Sequence, residues 1–152
     1  MKFLCDMMLG KLAKYLRILG LDAPYVQGLD EGGEIAASGE PFFFLTRRRE
    51  IRHMADVIFI ESDRVREQVR QILPRIKPFF DMRLVMTRCI ACNVSLIHVP
   101  KKDVEPSVPE FVFHKYETFM QCPQCLKVYW EGSHAARMSE LIEEVMGIER
   151  ME

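Results

Sequence analysis

No apolar run in this sequence approaches the roughly 18 residues that a membrane-spanning helix requires, so none is expected. The opening residues, Met1-Lys2-Phe3-Leu4-Cys5-Asp6, lack a secretory signal's long apolar stretch and cleavage site, and a cytoplasmic location is the expectation. Net charge is nearly absent as well, since 21 Lys and Arg against 22 Asp and Glu leave −1. Wholesale electrostatic attraction to nucleic acid is therefore not written into the composition, although a local basic face is still allowed. Cysteine is scarce and odd in number: four of the five lie in two CxxC units and Cys5 is left over. An odd count argues against a secreted disulfide framework, and a reducing compartment keeps thiols free for metal. There is no low-complexity segment, and no internal repeat beyond the paired CxxC units.

What is present suits a folded domain. The 152 residues, 49% hydrophobic and 28% charged, are ordinary for a globular chain and allow one core domain plus a small appendage. Lys2 to Cys5 reads as a short strand. Leu9, Leu12, Ala13, Leu16 and Leu19 then follow helical spacing up to a stop at Gly20. Pro24-Tyr25-Val26 reads as a second strand, Asp30 to Ser38 as a weak helix, and Pro41 to Leu45 and Val57 to Ile60 as buried strands. Arg64 to Leu73 is an amphipathic helix stopped by Pro74. Strand–helix alternation with continuous apolar strands predicts a parallel sheet flanked by helices. The second region holds the cysteines, with prolines 100, 106 and 109 marking an irregular loop between them. A last helix is expected from about His134 to Met146, capped by Gly147.

Cys89, Cys92, Cys122 and Cys125 carry the most specific signal. Two CxxC turns each present two thiolates to one ion, and four thiolates suit tetrahedral zinc; iron is the alternative ion for such a set. Asn93, just after the first pair, tolerates the left-handed backbone that such a turn often needs. Flanking apolar residues (Leu84, Val85, Leu96, Ile97, Phe119, Val128, Tyr129, Trp130) fit two β-hairpins, the layout of a zinc ribbon. A closed four-cysteine site has no open coordination position, so its role is structural.

Carboxylates follow the strands. Asp6 comes after the first, Asp30 and Glu31 after the second, Glu61 and Asp63 after the fourth. In an open parallel sheet those ends share one edge, where ligands bind. Such acids can hold Mg²⁺ or Mn²⁺ and support phosphodiester hydrolysis. Asp63 also fits a helix N-cap, whereas Asp6, at the end of the strand expected to be central, favours function. Lys11, Lys14 and Arg17 recur along the first helix, and arginines 47, 48, 49 and 52 form a second cluster. Both suit a phosphate backbone, and both also suit a solvated surface.

Together these residues resemble one family. Phe3–Gly20 (FLCDxMLGKLAKYLRxLG), Leu45–Arg47 (LTR), Arg88–Leu96 (RCxxCNxxL) and Cys122–His134 (CPxCxKVYWEGSH) are similar to the PIN-like ribonuclease domain with a zinc ribbon, named after the C-terminal part of the Mut-seven exonuclease. The resemblance implies a PIN-like α/β domain, a structural zinc ribbon and a metal-dependent ribonuclease activity on RNA. It implies Asp6 as the family's first acid and Asp30 as an acid before the second helix. The family commonly reads LTRD, and here Arg48 stands in the place of that aspartate. A cation at a ligand position repels Mg²⁺ and removes one anionic ligand. The resulting expectation is a PIN-like α/β domain over 1–83, a zinc ribbon over 84–133 and a C-terminal helix over 134–152 packing back on the core. Asp6, Asp30 and Asp63 are its candidate catalytic acids, and Lys11, Lys14 and Arg48 its phosphate contacts. The function expected is a metal-dependent ribonuclease, degenerate where Arg48 replaces the acid. The rival reading is an inactive RNA-binding protein or an adaptor with a protein partner.

Overall fold

The computed structural model describes residues 1–27, 39–52, 54–131 and 143. The helices expected over 30–38 and 134–146, and with them Asp30, Ser133 and His134, lie outside the described residues.

Strands β1 (Lys2–Cys5), β2 (Phe42–Thr46) and β3 (Val57–Phe59) form a parallel sheet in the order β1-β2-β3. Leu4 lies beside Phe44, and Leu45 beside Ile58. On the other side of β1, Asp22 and Tyr25 make parallel bridges to Lys2 and Cys5. The N–H groups of Phe3 and Cys5 donate to the carbonyls of Asp22 and Pro24, each at 2.8 Å. β1 is thus flanked on both sides, and Phe3, Leu4 and Cys5 have no solvent exposure. That burial accounts for an unbroken apolar strand.

Helix α1 (Gly10–Ile18) follows β1 after a 3₁₀ turn at Met7–Leu9. It ends as its sequence predicts. Gly20 has φ +85°, its N–H donates to the Arg17 carbonyl and the Leu21 N–H to the Leu16 carbonyl, which is a Schellman cap. A Cβ on Gly20 would stand 2.3 Å from the Leu84 carbonyl oxygen, so the cap is also a close joint. Helix α2 (Val65–Ile76) corrects one expectation, because it runs through Pro74. The ring removes one backbone donor, but Ile76 continues the apolar row of Val69 and Ile72, and all three are fully buried.

The cysteine region forms one antiparallel sheet of β4 (Ile97–Val99), β5 (Phe119–Gln121) and β6 (Val128–Trp130), rather than two separate hairpins. Leu84 belongs to a 3₁₀ turn, and a single bridge, Arg88 to Ser95, closes the chain around the first cysteine pair. The proline-marked stretch is more ordered than expected. It carries two 3₁₀ turns and helix α3 (Glu110–Lys115), with Val104 and Val112 packed against Phe119 and Val128.

The main core does not stop near residue 84. Phe3, Leu12, Leu45 and Ile72 share one buried cluster with Cys89, Leu96, Cys122 and Tyr129. The chain is a mixed α/β protein whose cysteine cluster is fused to the core of its parallel sheet. Among the described residues, no helix is long and apolar enough to cross a membrane.

Candidate metal centre and acidic site

The two CxxC turns are built alike. In the first, the Asn93 N–H donates to the Cys89 carbonyl at 2.9 Å and the Cys89 N–H to the Val94 carbonyl at 2.8 Å. In the second, Leu126 donates to Cys122 and Cys122 to Lys127, both at 3.0 Å. The residue after each pair is left-handed, Asn93 at φ +61° and Leu126 at +67°. Backbone N–H groups point at sulfur: Cys92 at Cys89 Sγ (3.4 Å), Gln124 and Cys125 at Cys122 Sγ (3.3 and 3.4 Å).

All four sulfurs lie within 4.8 Å of one another, and Cys89 and Cys125 are 3.8 Å apart. A disulfide needs about 2.05 Å. A tetrahedron with bonds of about 2.3 Å has edges of about 3.8 Å, so the set fits one zinc-sized ion. Tyr129, packed in the core, supports it from behind. Its hydroxyl accepts from the Ile90 N–H at 3.1 Å and lies 3.3 Å from Cys89 Sγ. Burial pushes the Cys89 thiol up, but hydrogen bonds from Tyr129 and from the Cys92 and Ala91 N–H groups outweigh it and bring the thiol to about 7.

A second set of contacts ties the first turn to the parallel sheet. Arg17, read from sequence as part of a basic stripe, is instead buried. Its Nε donates to the Ala23 carbonyl at 3.0 Å, and its Nη1 to the carbonyls of Ile90 at 2.7 Å and Ala91 at 3.3 Å. Asn93 completes the tie. Its Oδ1 accepts from the Ala23 N–H at 3.0 Å, and its Nδ2 donates to Asp22 Oδ1 at 2.8 Å.

The acidic site lies at the C-terminal end of β1. Asp6 is 1% exposed. Its Oδ1 accepts from the Met7 N–H at 2.7 Å, and its Oδ2 accepts from the Thr46 hydroxyl at 2.8 Å. Arg48 Nε approaches the same Oδ2 at 3.2 Å, while the Arg48 N–H donates to Thr46 Oγ1 at 3.0 Å. Asp6, Thr46 and Arg48 are therefore joined by two hydrogen bonds through Thr46 and by one ion pair. Thr46 went unrecognised as a site residue, although it stands inside the LTR motif.

Other candidates sit apart from these contacts. Asp63 is exposed in the turn before α2, and it is not the cap there: Arg64 holds the N-cap position with no side-chain cap bond. Glu61 is exposed, and its N–H donates to Gln71 Oε1. Lys11 and Lys14 are exposed on α1. Among the described residues, the four cysteines are the one group of three or more potential ligands. Both Asp6 oxygens are already engaged, one by a guanidinium, so the described residues do not fit a divalent cation at Asp6.

Comparison with known proteins adds the family. The family model described as "Mut7-C RNAse domain" matches residues 1–142. No curated protein and no solved structure matches.

Proposed function

The chain belongs to the Mut7-C RNAse domain family, and from that premise we propose that it is an RNA-binding protein of PIN-like type whose metal-dependent cleavage is suppressed at Asp6 by Arg48. The observation that carries this reading is the Arg48–Asp6 contact. A guanidinium neutralises the carboxylate that would otherwise attract Mg²⁺ or Mn²⁺, and the Thr46 hydroxyl takes part of its remaining hydrogen-bonding capacity. Zinc at the four cysteines would supply structure alone, since four thiolates leave no open position.

The roles then divide by residue. Arg48, 40% exposed at its side chain, keeps part of its guanidinium open to a phosphate oxygen. Lys11 and Lys14 add charge from α1. Asp30 and Asp63 remain the further candidate acids, with Asp63 exposed and apart from the Asp6–Thr46–Arg48 contacts.

The test is calorimetric titration of Mn²⁺ into zinc-loaded wild type, Asp6→Asn and Arg48→Asp. No saturable binding to wild type, and binding gained in Arg48→Asp, is the expected result. Saturable binding to wild type that is lost in Asp6→Asn would mean that the site is a working metal centre. A second reading, a protein-interaction adaptor, draws on the exposed Phe111 (71%) and Leu126 (63%) in the cysteine region. It requires a stoichiometric protein partner on purification and no affinity for RNA.

A further inference from the structure

α1 and α2 pack side by side, and a groove runs between them. Its two lobes, of about 420 and 220 Å³, share Tyr15 and Val65. Lys11 and Lys14 line the smaller lobe from α1. Arg64, Arg66 and Arg70 line the larger from the start of α2. All five are exposed, and Tyr15 is half-buried between them. Among the described residues one acid, Glu67, shares the groove, and its carboxylate accepts from the Ser62 hydroxyl. Five of the 21 cations of a chain with net charge −1 thus gather in one cleft. That concentration is the local basic face which the overall balance conceals.

We infer that this groove is a track for single-stranded RNA, with the cations of the two lobes on successive phosphates and Tyr15, where the lobes meet, stacked on a base. The inference rests on the RNA reading above and adds the surface that takes the strand. Three features favour this ligand. Cations strung along two joined lobes can follow a backbone over successive phosphates. An aromatic ring between them offers a stacking face that any base satisfies. Both helices follow the C-terminal ends of parallel strands, so their N-terminal ends share the sheet edge that holds Asp6, and their dipoles add positive potential there.

The measurement is fluorescence anisotropy of a labelled 12-nucleotide oligouridylate with zinc-loaded full-length protein, at several salt concentrations. Arg64→Gln/Arg70→Gln removes two contacts from the larger lobe, and Lys11→Gln/Lys14→Gln two from the smaller. Each pair is expected to flatten the slope of log affinity against log salt by about 1.4, and to weaken binding about 25-fold at 0.1 M salt. Tyr15→Leu is expected to weaken binding at least about fivefold while leaving the slope intact. Thermal unfolding of each variant confirms its fold; should the α2 pair misfold, the α1 pair and Tyr15→Leu carry the test. Wild-type binding that all three variants retain would overturn the groove while sparing the RNA reading. No wild-type binding even at low salt would overturn both. Equal competition by polyglutamate would also overturn the track, marking the groove as a general anion or acidic-protein surface.

Discussion

Asp6 is nearly sealed from water, so its charge depends on the protein for compensation. Arg48 provides it at 3.2 Å. Arg48→Met keeps the length of the side chain and removes the guanidinium; an ion pair with one partner this exposed contributes on the order of 1 kcal/mol. The urea midpoint should fall accordingly, and Asp6→Asn added to it should cost less than the sum of the two changes, because they share one interaction. An unmoved midpoint would mean that water screens the pair. Cys5 lies inside β1, whereas the four metal-site cysteines sit together in the two CxxC turns that an ion would hold. Burial pushes the Cys5 thiol up to about 12, against a smaller opposing pull from Arg17, so at pH 8 it carries almost no thiolate. Thiol titration with a disulfide reagent should count four reactive cysteines after chelation and a fifth only after unfolding. Five before unfolding would contradict its burial. At this scale the sequence was readable where chemistry is local. The CxxC spacing dictates the sulfur cluster, and Asn93 advertises its left-handed backbone. Arg17 was misread because its role depends on carbonyls 73 and 74 residues away; its only local sign is that Leu16 and Ile18 on either side are core residues.

At the scale of elements, the two metal turns share a shape without sharing the residue that suits it. Asn93 adopts φ +61° at little cost, whereas Leu126 adopts +67° with its side chain 63% exposed. A left-handed residue with a Cβ costs about 1–2 kcal/mol. Leu126→Gly should therefore stabilise the zinc-loaded protein by about 1 kcal/mol, read as a rise in thermal midpoint. A fall would mean that the leucine side chain makes contacts that outweigh its backbone strain. Helix α2 teaches the companion lesson about Pro74. Proline is a strong local stop, but the apolar row from Val69 through Ile72 to Ile76 extends past it, and core burial of Ile76 wins. That row was visible in the sequence. Helix α3 was hidden for the opposite reason: three prolines dominate its neighbourhood, and the helix is held by Val112 packing on β5 and β6, which no local pattern announces.

For the whole molecule, the question is whether the metal turn is an appendage or a part of the α/β core. Arg17 and Asn93 hold four groups between them: the Ala23 backbone, the Asp22 side chain and the carbonyls of Ile90 and Ala91. Asp22 and its neighbours in turn pair with β1, which ends at Asp6. Four thiolates without an ion repel one another and lose the geometry that aims those carbonyls at Arg17. Removing zinc should therefore loosen the outer edge of the parallel sheet as well as the cysteine region. Hydrogen exchange resolves the two cases. After chelation, the Ala23, Phe3 and Cys5 amides should exchange at least about tenfold faster, together with those of Cys122 and Leu126, a change of about 1.4 kcal/mol in local opening. Arg17→Ala, with zinc kept in place, should speed these amides less than chelation does, because Asn93 would still hold Ala23 and Asp22 to the first metal turn. If chelation frees only the cysteine region and leaves Phe3 and Cys5 protected, the sheet stands without the metal, and the shared core is continuous in space but not coupled in stability.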